Sequence, residues 1–442
     1  MSIRYKYLEN MIIFLAVILF SFSTLNEAVG QNRIAITDFY EYANKTWLDT
    51  CVIPANTSVV NNWGVLWDRI IDKSIKILSS DSTYNLDENH IFILHQLQKL
   101  YKSTIDSTND DRKRVQLVQK HYPMLLGIIF SKITVPPSKE EKINEIINFL
   151  TIAYRTKIEK TNRLGNYYKE KFLLKLDRME FEIGSPDISD FPKMPTLSAN
   201  SLERNIQLSN EYQLEKDKKK SDWELPPFET GCFYNFHDNK VKIYAGILFD
   251  SYSNEENDYV YLFATIGRTI SHEMTHAFDN IGRRYNENGK YINWVGYLFS
   301  GALFSKSEWD NTYRALIEQY NQYTIQDTLY VNGKKTIQEN IADLGGVEIS
   351  LLALKLYLEK NQLSSFEKEK TEVLKKYFIT YAQFWREKAT SGFERSSLKR
   401  LHAPQKYRAI GPIYNQKEFY EVFEIDDKSK YYLPINLRVS IW

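Results

Sequence analysis

The chain has 442 residues, of which 43% are apolar, and its 57 basic residues nearly balance its 56 acidic ones. A chain of this length can bury an ample core, and we expect it to form two lobes. Because the net charge is close to zero and the basic residues are dispersed, the composition argues against nucleic acid as a partner.

The first thirty residues predict export. Arg4 and Lys6 precede an apolar run over residues 11–22, and a small residue stands at Gly30. This pattern is typical of a secretory signal peptide cut after Gly30, which would make the protein secreted or periplasmic. The alternative is an uncleaved membrane anchor through residues 11–25. Cleavage is favoured because the apolar run is shorter than the ~20 residues of a membrane-spanning helix.

The stretch from Trp63 to about Lys175 predicts a helical lobe. Its apolar residues recur at helical spacing, and the pair Pro136-Pro137 interrupts the pattern. A lysine-rich segment from Glu215 to Ser221 predicts a linker to the rest of the chain. The predicted helices are Trp67 to Leu78, His90 to Tyr101, Arg114 to Phe130 and Glu140 to Ile158.

The most informative segment sets two histidines one helical turn apart, at His272 and His276. On a helix both would point a ring nitrogen at one metal ion, and Glu273 would lie beside that ion, placed to polarise a bound water. The alternative is a surface helix that carries two histidines. The apolar sequence from Tyr259 to Ile270 and the stop signal Asn280-Ile281-Gly282 count against it.

A catalytic zinc usually has three protein ligands and one open position, so a third ligand is required. Glu339 and Asp343 are again four residues apart, ahead of an apolar helical pattern. One helix face therefore offers a carboxylate to the metal and a second carboxylate to an imidazole N–H. The glycines that follow, Gly345 and Gly346, would let two helices approach closely.

At these residues the chain resembles the neprilysin and endothelin-converting-enzyme family of zinc metallopeptidases. The resemblance covers most of the chain from Leu176 onward and a short piece near the N-terminus. Its zinc-binding motifs are Ser271 to Asn280 and Glu339 to Gly346. Further matching motifs are Asp38-Phe39-Tyr40-Glu41-Tyr42-Ala43-Asn44 with Trp47, Tyr244-Ala245-Gly246-Ile247-Leu248, Phe384-Trp385 and His402-Ala403-Pro404-Gln405-Lys406-Tyr407-Arg408-Ala409-Ile410-Gly411-Pro412.

The resemblance implies a mainly α fold with a small β-sheet, in which a thermolysin-like gluzincin catalytic lobe is joined to a reduced helical lobe. The helical region is much shorter than the cap that family members usually have, so we expect a smaller cap that admits longer or partly unfolded substrates. The predicted division is 1–30 signal peptide, 31–62 N-terminal family segment, 63–200 reduced helical lobe and 201–442 catalytic lobe.

The resemblance also implies the role of each site residue, with one Zn²⁺ per chain. Without it, His402 would be interpreted as an ordinary loop histidine and Arg408 as a solvated charge or a structural ion pair. The implied roles are metal binding by His272, His276 and Glu339, general base catalysis by Glu273, orientation of the histidines by Asp343 and Asp279, with Asp343 counted among the catalytic groups, oxyanion stabilisation by His402 and substrate binding by Arg408.

The chain departs from the family pattern where relatives have an Asn-Ala pair that holds the substrate backbone. Gly231 and Cys232 stand there, so backbone groups remain to bind substrate but the asparagine side chain is missing. The segment Lys240 to Tyr244 alternates like a strand that could present an edge to a peptide. Cys51 and Cys232 are the only cysteines, and a disulfide between them is one option.

These observations predict an exported zinc metalloendopeptidase that hydrolyses internal bonds of peptides or unfolded proteins. The first alternative is a catalytically weak module that retains the fold and binds zinc or peptides, which the missing asparagine at Gly231 supports. The second is a structural protein anchored by an uncleaved N-terminus. Against the first, Glu273 is present together with all three predicted ligands, and a pseudoenzyme is free to lose its base first.

Overall fold

The computed structural model of the chain describes residues 38–442 except 81, 83, 220, 250–257, 293–305, 363–366 and 429–431. The predicted signal peptide and the alternative anchor at residues 11–25 lie outside the described residues. Among the helices that are described, none combines the length and the apolar character needed to cross a membrane.

The described part of the chain is mainly helical with small β-sheets, which confirms the predicted class. The helices are α1 (Phe39–Thr50), α2 (Asn62–Ser79), α3 (Glu88–Ser103), α4 (Asp111–His121), α5 (Pro123–Thr134), α6 (Pro137–Lys160), α7 (Asn166–Asp177), α8 (Leu202–Lys216), α9 (Ala245–Leu248), α10 (Tyr259–Leu262), α11 (Arg268–His276), α12 (Lys306–Asn321), α13 (Gly333–Lys360), α14 (Glu367–Phe384), α15 (Ser391–Ser397), α16 (Gln405–Ile413) and α17 (Lys417–Phe423). The strands are β1 (Val59–Asn61), β2 (Glu180–Gly184), β3 (Cys232–Asn235), β4 (Lys240–Tyr244), β5 (Thr324–Ile325), β6 (Leu329–Tyr330) and β7 (Glu387–Ala389).

Helices α2 to α5 form a hydrophobic cluster of their own, which α8 joins through Tyr212. Three of these helices have side-chain N-caps. The side chains of Asn61, Asp87 and Asp110 each accept a hydrogen bond from a backbone N–H of the first turn. The predicted single helix from Arg114 to Phe130 is wrong. Pro123 occupies the first position of α5, where its missing N–H is tolerated, and α4 ends just before it.

Helices α6 and α7 belong to a second, larger hydrophobic cluster that also contains the metal-motif helix. Leu150 and Tyr154 of α6 share this cluster with Ile270 of α11 and Leu344 of α13. The Pro136-Pro137 pair interrupts the helical pattern as predicted, but helix α6 begins at Pro137, ahead of its predicted start at Glu140. The division between the two hydrophobic clusters therefore does not coincide with the predicted boundary at residue 200. Helices α6 and α7 lie within residues 63–200, but their buried side chains belong to the cluster of the C-terminal part.

The largest sheet has three strands in the order β2-β4-β3. Strand β4 is parallel to β2 and antiparallel to β3, with Val241 opposite both Phe181 and Tyr234. The strand from Lys240 to Tyr244 is therefore central, and the prediction that it presents an edge is wrong because both of its sides are hydrogen-bonded. The edge on that side is β3. Strands β1 and β7 form one smaller antiparallel sheet, and β5 and β6 form another.

Helix α11 crosses α13 at close range, and two glycines of α13 make this contact possible. A Cβ atom at Gly345 would lie 2.5 Å from Thr275 Oγ1, and one at Gly346 would lie 3.0 Å from the carbonyl oxygen of Arg268. The prediction that these glycines allow close helix packing is confirmed.

A π-helical turn, Phe263–Gly267, directly precedes α11. Such turns are frequent at functional sites.

Candidate metal centre

The structure brings together one possible ligand atom from each of His272, His276 and Glu339, all within 4.8 Å of one another. The two histidines lie one turn apart on α11, and their ring centroids are 4.9 Å apart. Glu339 comes from α13, with Oε2 3.3 Å from His272 Nε2 and Oε1 4.0 Å from His276 Nε2. The sequence-predicted ligands therefore converge on one point from two crossing helices.

Each imidazole is held from behind by a buried carboxylate. His272 Nδ1 donates to Asp343 Oδ1 at 2.9 Å, and His276 Nδ1 donates to Asp279 Oδ2 at 2.8 Å. The other oxygen of Asp279 accepts two backbone N–H groups of the next turn, at 2.7 and 2.8 Å. Because both Nδ1 atoms are paired in this way, both Nε2 atoms are left as metal-binding groups.

Asp343 is fully buried and is shared between His272 and Arg408. Arg408 donates to its two oxygens through Nε and Nη2, at 2.7 and 2.8 Å. Burial alone would raise the pKa of Asp343, but the charge of Arg408 and the hydrogen bond with His272 outweigh it and hold the pKa well below its usual range. The carboxylate therefore stays ionised behind the metal-binding ring.

The electrostatics of the cluster favour a cation. Burial would lower the pKa of His272, but hydrogen bonds with Asp343 and Glu339 outweigh burial and raise it to about 9. The pKa of Glu339 lies well below its usual range, since the neighbouring His272 and His402 rings outweigh the effect of burial. Two imidazole nitrogens and one carboxylate oxygen form a donor set that suits zinc, so the residues present fit this metal.

Glu273 lies on the same helix, and its carboxylate is nearly buried. Its Oε2 accepts the backbone N–H of Tyr234 at 3.0 Å, and its Oε1 is 3.9 Å from His272 Nε2. Burial raises its pKa, although the charges of His272 and His276 act in the opposite direction. Edge strand β3 therefore fixes a carboxylate with increased basicity next to the metal-binding nitrogens.

His402 lies in the loop before α16, and its side chain is half exposed. Its Nε2 is 2.9 Å from Oε2 of Glu339. The structure therefore brings His402 to the cluster, in contact with a predicted metal ligand. Its predicted role toward an oxyanion stays a prediction, as does the predicted contact between Arg408 and the substrate.

Cys232 begins β3, and Gly231 directly precedes it. The carbonyl oxygen of Gly231 accepts the N–H of Tyr244 at 3.2 Å, and the position that a Cβ would take has no atom within 4 Å. Burial raises the pKa of the Cys232 thiol, and the charge of Glu273 raises it further, whereas Arg268 lowers it. Cys51 and Cys232 are both free thiols, so the disulfide that was one option is not formed.

Sequence reasoning missed two groups at this site. The backbone N–H of Tyr234 could not be found from residue types, because only the strand position brings it to Glu273. Arg268 could have been found, since it precedes His272 by four residues and therefore shares its helix face. The guanidinium carbon of Arg268 lies 4.4 Å from the ring centroid of Trp385. The guanidinium carbon of Arg408 lies 4.2 Å from the same centroid.

Models of one protein family match two regions of the chain. Family models described as peptidase family M13 match residues 35–119 and 231–439, which together span more than half of the chain. The neutral endopeptidase of Lactococcus lactis subsp. lactis is 26% identical over 353 residues, covering 76% of this chain and 52% of the relative. Neprilysin-11 of Caenorhabditis elegans is 26% identical over 381 residues, covering 81% of this chain and 43% of the relative. The chain thus spans about half the length of the curated relatives that it matches.

Solved structures agree with these relatives. The zinc metalloprotease ZMP1 of Mycobacterium tuberculosis in its open state has a TM-score of 0.64 at 27% identity, covering 77% of this chain and 55% of that one. Its inhibitor complex has a TM-score of 0.63 at 26% identity, covering 76% and 51%. Because sequence and fold point to the same relatives, the chain belongs to peptidase family M13, the neprilysin-like group that its motifs predict.

Proposed function

We propose that the chain is a zinc-dependent metalloendopeptidase that hydrolyses internal peptide bonds with Glu273 as general base. The observation that carries the proposal is the convergence of His272, His276 and Glu339 within 4.8 Å, with Glu273 beside them. Relatives named neutral endopeptidase and zinc metalloprotease support it. The natural substrates are peptides or unfolded proteins.

Zinc would be held by Nε2 of His272, Nε2 of His276 and a carboxylate oxygen of Glu339, one ion per chain. When bound, zinc supplies a Lewis acid and lowers the pKa of a water molecule toward neutrality. Asp343 and Asp279 fix the tautomer and the direction of the two imidazoles, so the chain contributes a preorganised set of ligands.

Glu273 performs the proton transfers. It accepts a proton from the attacking water and delivers it to the leaving nitrogen when the amide bond breaks. Oε2 of Glu273 already accepts the N–H of Tyr234. Oε1, which lies on the side of His272, is therefore the oxygen that accepts the proton of the water. The raised pKa of the buried carboxylate makes it a stronger base than an exposed glutamate.

Three groups of the chain bind and position the substrate in this proposal. The free edge of β3 offers main-chain donors and acceptors to an extended peptide, starting at Gly231 and Cys232. His402 donates a hydrogen bond to the carbonyl oxygen as negative charge develops there. Arg408 uses Nε and Nη2 to hold Asp343, and its remaining nitrogen, Nη1, is assigned to the substrate.

A second candidate function is a module that binds zinc or peptides with little catalysis. The empty space at Gly231 favours it, because no side chain there can grip the substrate backbone. Export and the wider access expected from a smaller helical lobe are further parts of our proposal. Export rests on the basic and apolar pattern of the first thirty residues, and wider access rests on the short helical region.

Zinc analysis combined with digestion of a mixed peptide library separates the two functions. We expect one zinc per purified chain and products cut at internal bonds, identified by mass spectrometry. Removal of zinc with a chelator should stop cleavage, and re-addition should restore it. A chain that binds one zinc but cuts no peptide in the library would be the binding module.

A further inference from the structure

Arg268 is a buried cation whose hydrogen-bonding groups are largely unused. It lies one turn before His272 on α11, and it is only 2% exposed. Its Nη1 is 3.7 Å from Asp343 Oδ1, whereas Nε and Nη2 are buried and have no hydrogen-bond partner among the residues that the structure describes. Burying a charge without hydrogen bonds is costly, so this arrangement requires an explanation.

Asp343 faces Arg268 but forms no hydrogen bond with it, because its oxygens are oriented toward Arg408 and His272. Both of its oxygens accept from Arg408, and one of them also accepts from His272. The pKa values of the two arginines reflect this. Burial lowers both, but the charge of Asp343 raises the pKa of Arg408 overall, whereas the pKa of Arg268 is lowered. One carboxylate therefore faces two guanidinium groups, and it forms hydrogen bonds with only one of them, Arg408.

Aromatic rings hold the guanidinium of Arg268 but do not use its N–H groups. Its central carbon lies 4.4 Å from the ring centroid of Trp385, 4.9 Å from that of Phe384 and 5.6 Å from that of Tyr381. Rings attract the cation through their faces and offer no strong acceptor to the N–H donors. The aromatic neighbours thus fix the group and leave its two free donors for another partner.

The position of Arg268 points to the substrate. It shares a helix face with His272. Its guanidinium lies on the ring of Trp385 together with that of Arg408, and both arginines face Asp343. Arg268 therefore lies close to the arginine to which the proposed function assigns the substrate. A substrate residue next to the scissile bond would have its side chain in this region.

We propose that Arg268 is a specificity-determining residue that binds a substrate carboxylate next to the scissile bond. This inference rests on the proposed peptidase function. Nε and Nη2 form the fork that pairs with both oxygens of a carboxylate, and Arg408 uses the same two atoms on Asp343. A carboxylate would satisfy both donors and pair with the charge of Arg268. Its source is an aspartate or glutamate side chain, or the C-terminus of a short peptide.

Matched peptides test the inference. Each position flanking the cleaved bond is occupied in turn by Glu or Gln, and each peptide is made with a free and an amidated C-terminus. We expect the wild type to show a kcat/KM about tenfold or more higher for Glu at one position, as a bidentate charged pair provides. In Arg268→Met this ratio should fall to about one. A preference for Glu over Gln with either C-terminus assigns Arg268 to a side chain, and a preference for the free over the amidated C-terminus, whichever residue flanks the bond, assigns it to the C-terminus.

The matched control is Arg114→Met. The guanidinium carbon of Arg114 also lies over an aromatic ring, 3.9 Å from the centroid of Tyr101, but that ring belongs to the hydrophobic cluster of helices α2 to α5. It should leave the Glu to Gln ratio unchanged.

Calorimetry of the same peptides with the Glu273→Gln variant measures the preference with Arg268 intact and without hydrolysis. Equal binding and equal kcat/KM for all four peptides, with Glu or Gln and with a free or an amidated C-terminus, would overturn the inference, whatever their rate of cleavage. A wild type that binds Glu peptides selectively but cuts none would refute the proposed peptidase and retain the carboxylate site.

Discussion

Arg408 and Asp343 form a bidentate ion pair in which Nε and Nη2 lie 2.7 and 2.8 Å from the two carboxylate oxygens. Since Asp343 also accepts from His272, this pair lies directly behind one predicted metal ligand. The arrangement couples the arginine that we propose binds the substrate to the candidate metal site. It implies that a change at Asp343 acts on metal affinity, whereas a change at Glu339 removes a ligand outright.

The first prediction compares these two positions. Glu339→Ala should abolish retention of zinc, because only two protein ligands remain. Asp343→Asn keeps all three ligands but loses the charge that orients His272, so zinc affinity should fall by roughly ten- to a hundredfold. Zinc content after dialysis against chelators of graded strength measures both. Unchanged zinc content in both variants would show that α13 does not take part in metal binding.

The second prediction concerns the glycine contact between α11 and α13. A Cβ at Gly345 would lie 2.5 Å from Thr275 Oγ1, so Gly345→Ala should destabilise the protein by about 1–3 kcal/mol through overpacking. Gly392→Ala is the matched control, since a Cβ there meets no atom within 4 Å. It should be neutral or stabilise by up to ~1 kcal/mol in helix α15. Urea unfolding measures both changes, and equal midpoints for the two variants would contradict the close-packing argument.

The third prediction concerns Lys175, a buried lysine whose Nζ donates to the carbonyl oxygens of Gly282 and Tyr285 at 2.7 and 2.9 Å. Burial lowers its pKa to about 7, although Asp279 and Glu287 act in the opposite direction. In the unfolded chain its pKa is about 10.4. Between these values the unfolded chain binds more protons at this position, so Lys175 makes stability rise with pH.

In Lys175→Met this contribution is absent. The free energy of unfolding of the wild type, relative to that of the variant, should therefore increase from about pH 7 to about pH 10 and level off above it. Denaturant titrations of both proteins over this range provide the measurement. Two stability curves that run parallel would mean that Lys175 has an ordinary pKa in the folded protein.

The metal cluster could be predicted because its ligands obey a local rule. His272 and His276 are four residues apart, and so are Glu339 and Asp343, and both spacings identify one face of a helix. The structure places one possible ligand atom of each of His272, His276 and Glu339 within 4.8 Å of the others. The N–H of Tyr234 and the environment of Arg268 depend on contacts between distant segments, which spacing does not encode.

The fold shows the same division between local and long-range information. The predicted helix from His90 to Tyr101 matches α3, Glu88–Ser103, closely, whereas α2 begins at Asn62, more than a turn before its predicted start at Trp67. The break at Pro123 was missed because the apolar pattern continues across it. The central position of β4 could not be predicted, since it depends on pairing with β2, which is remote in the sequence.

The most direct test of the account is the Glu273→Gln variant. Glutamine has nearly the same shape but cannot accept a proton, and Glu273 is not one of the three residues that we propose bind zinc. We predict that the variant retains one zinc per chain while kcat for a cleaved peptide falls by about two to four orders of magnitude. Hydrolysis at close to the wild-type rate, in a variant shown to hold its zinc, would contradict the assignment of Glu273 as the general base.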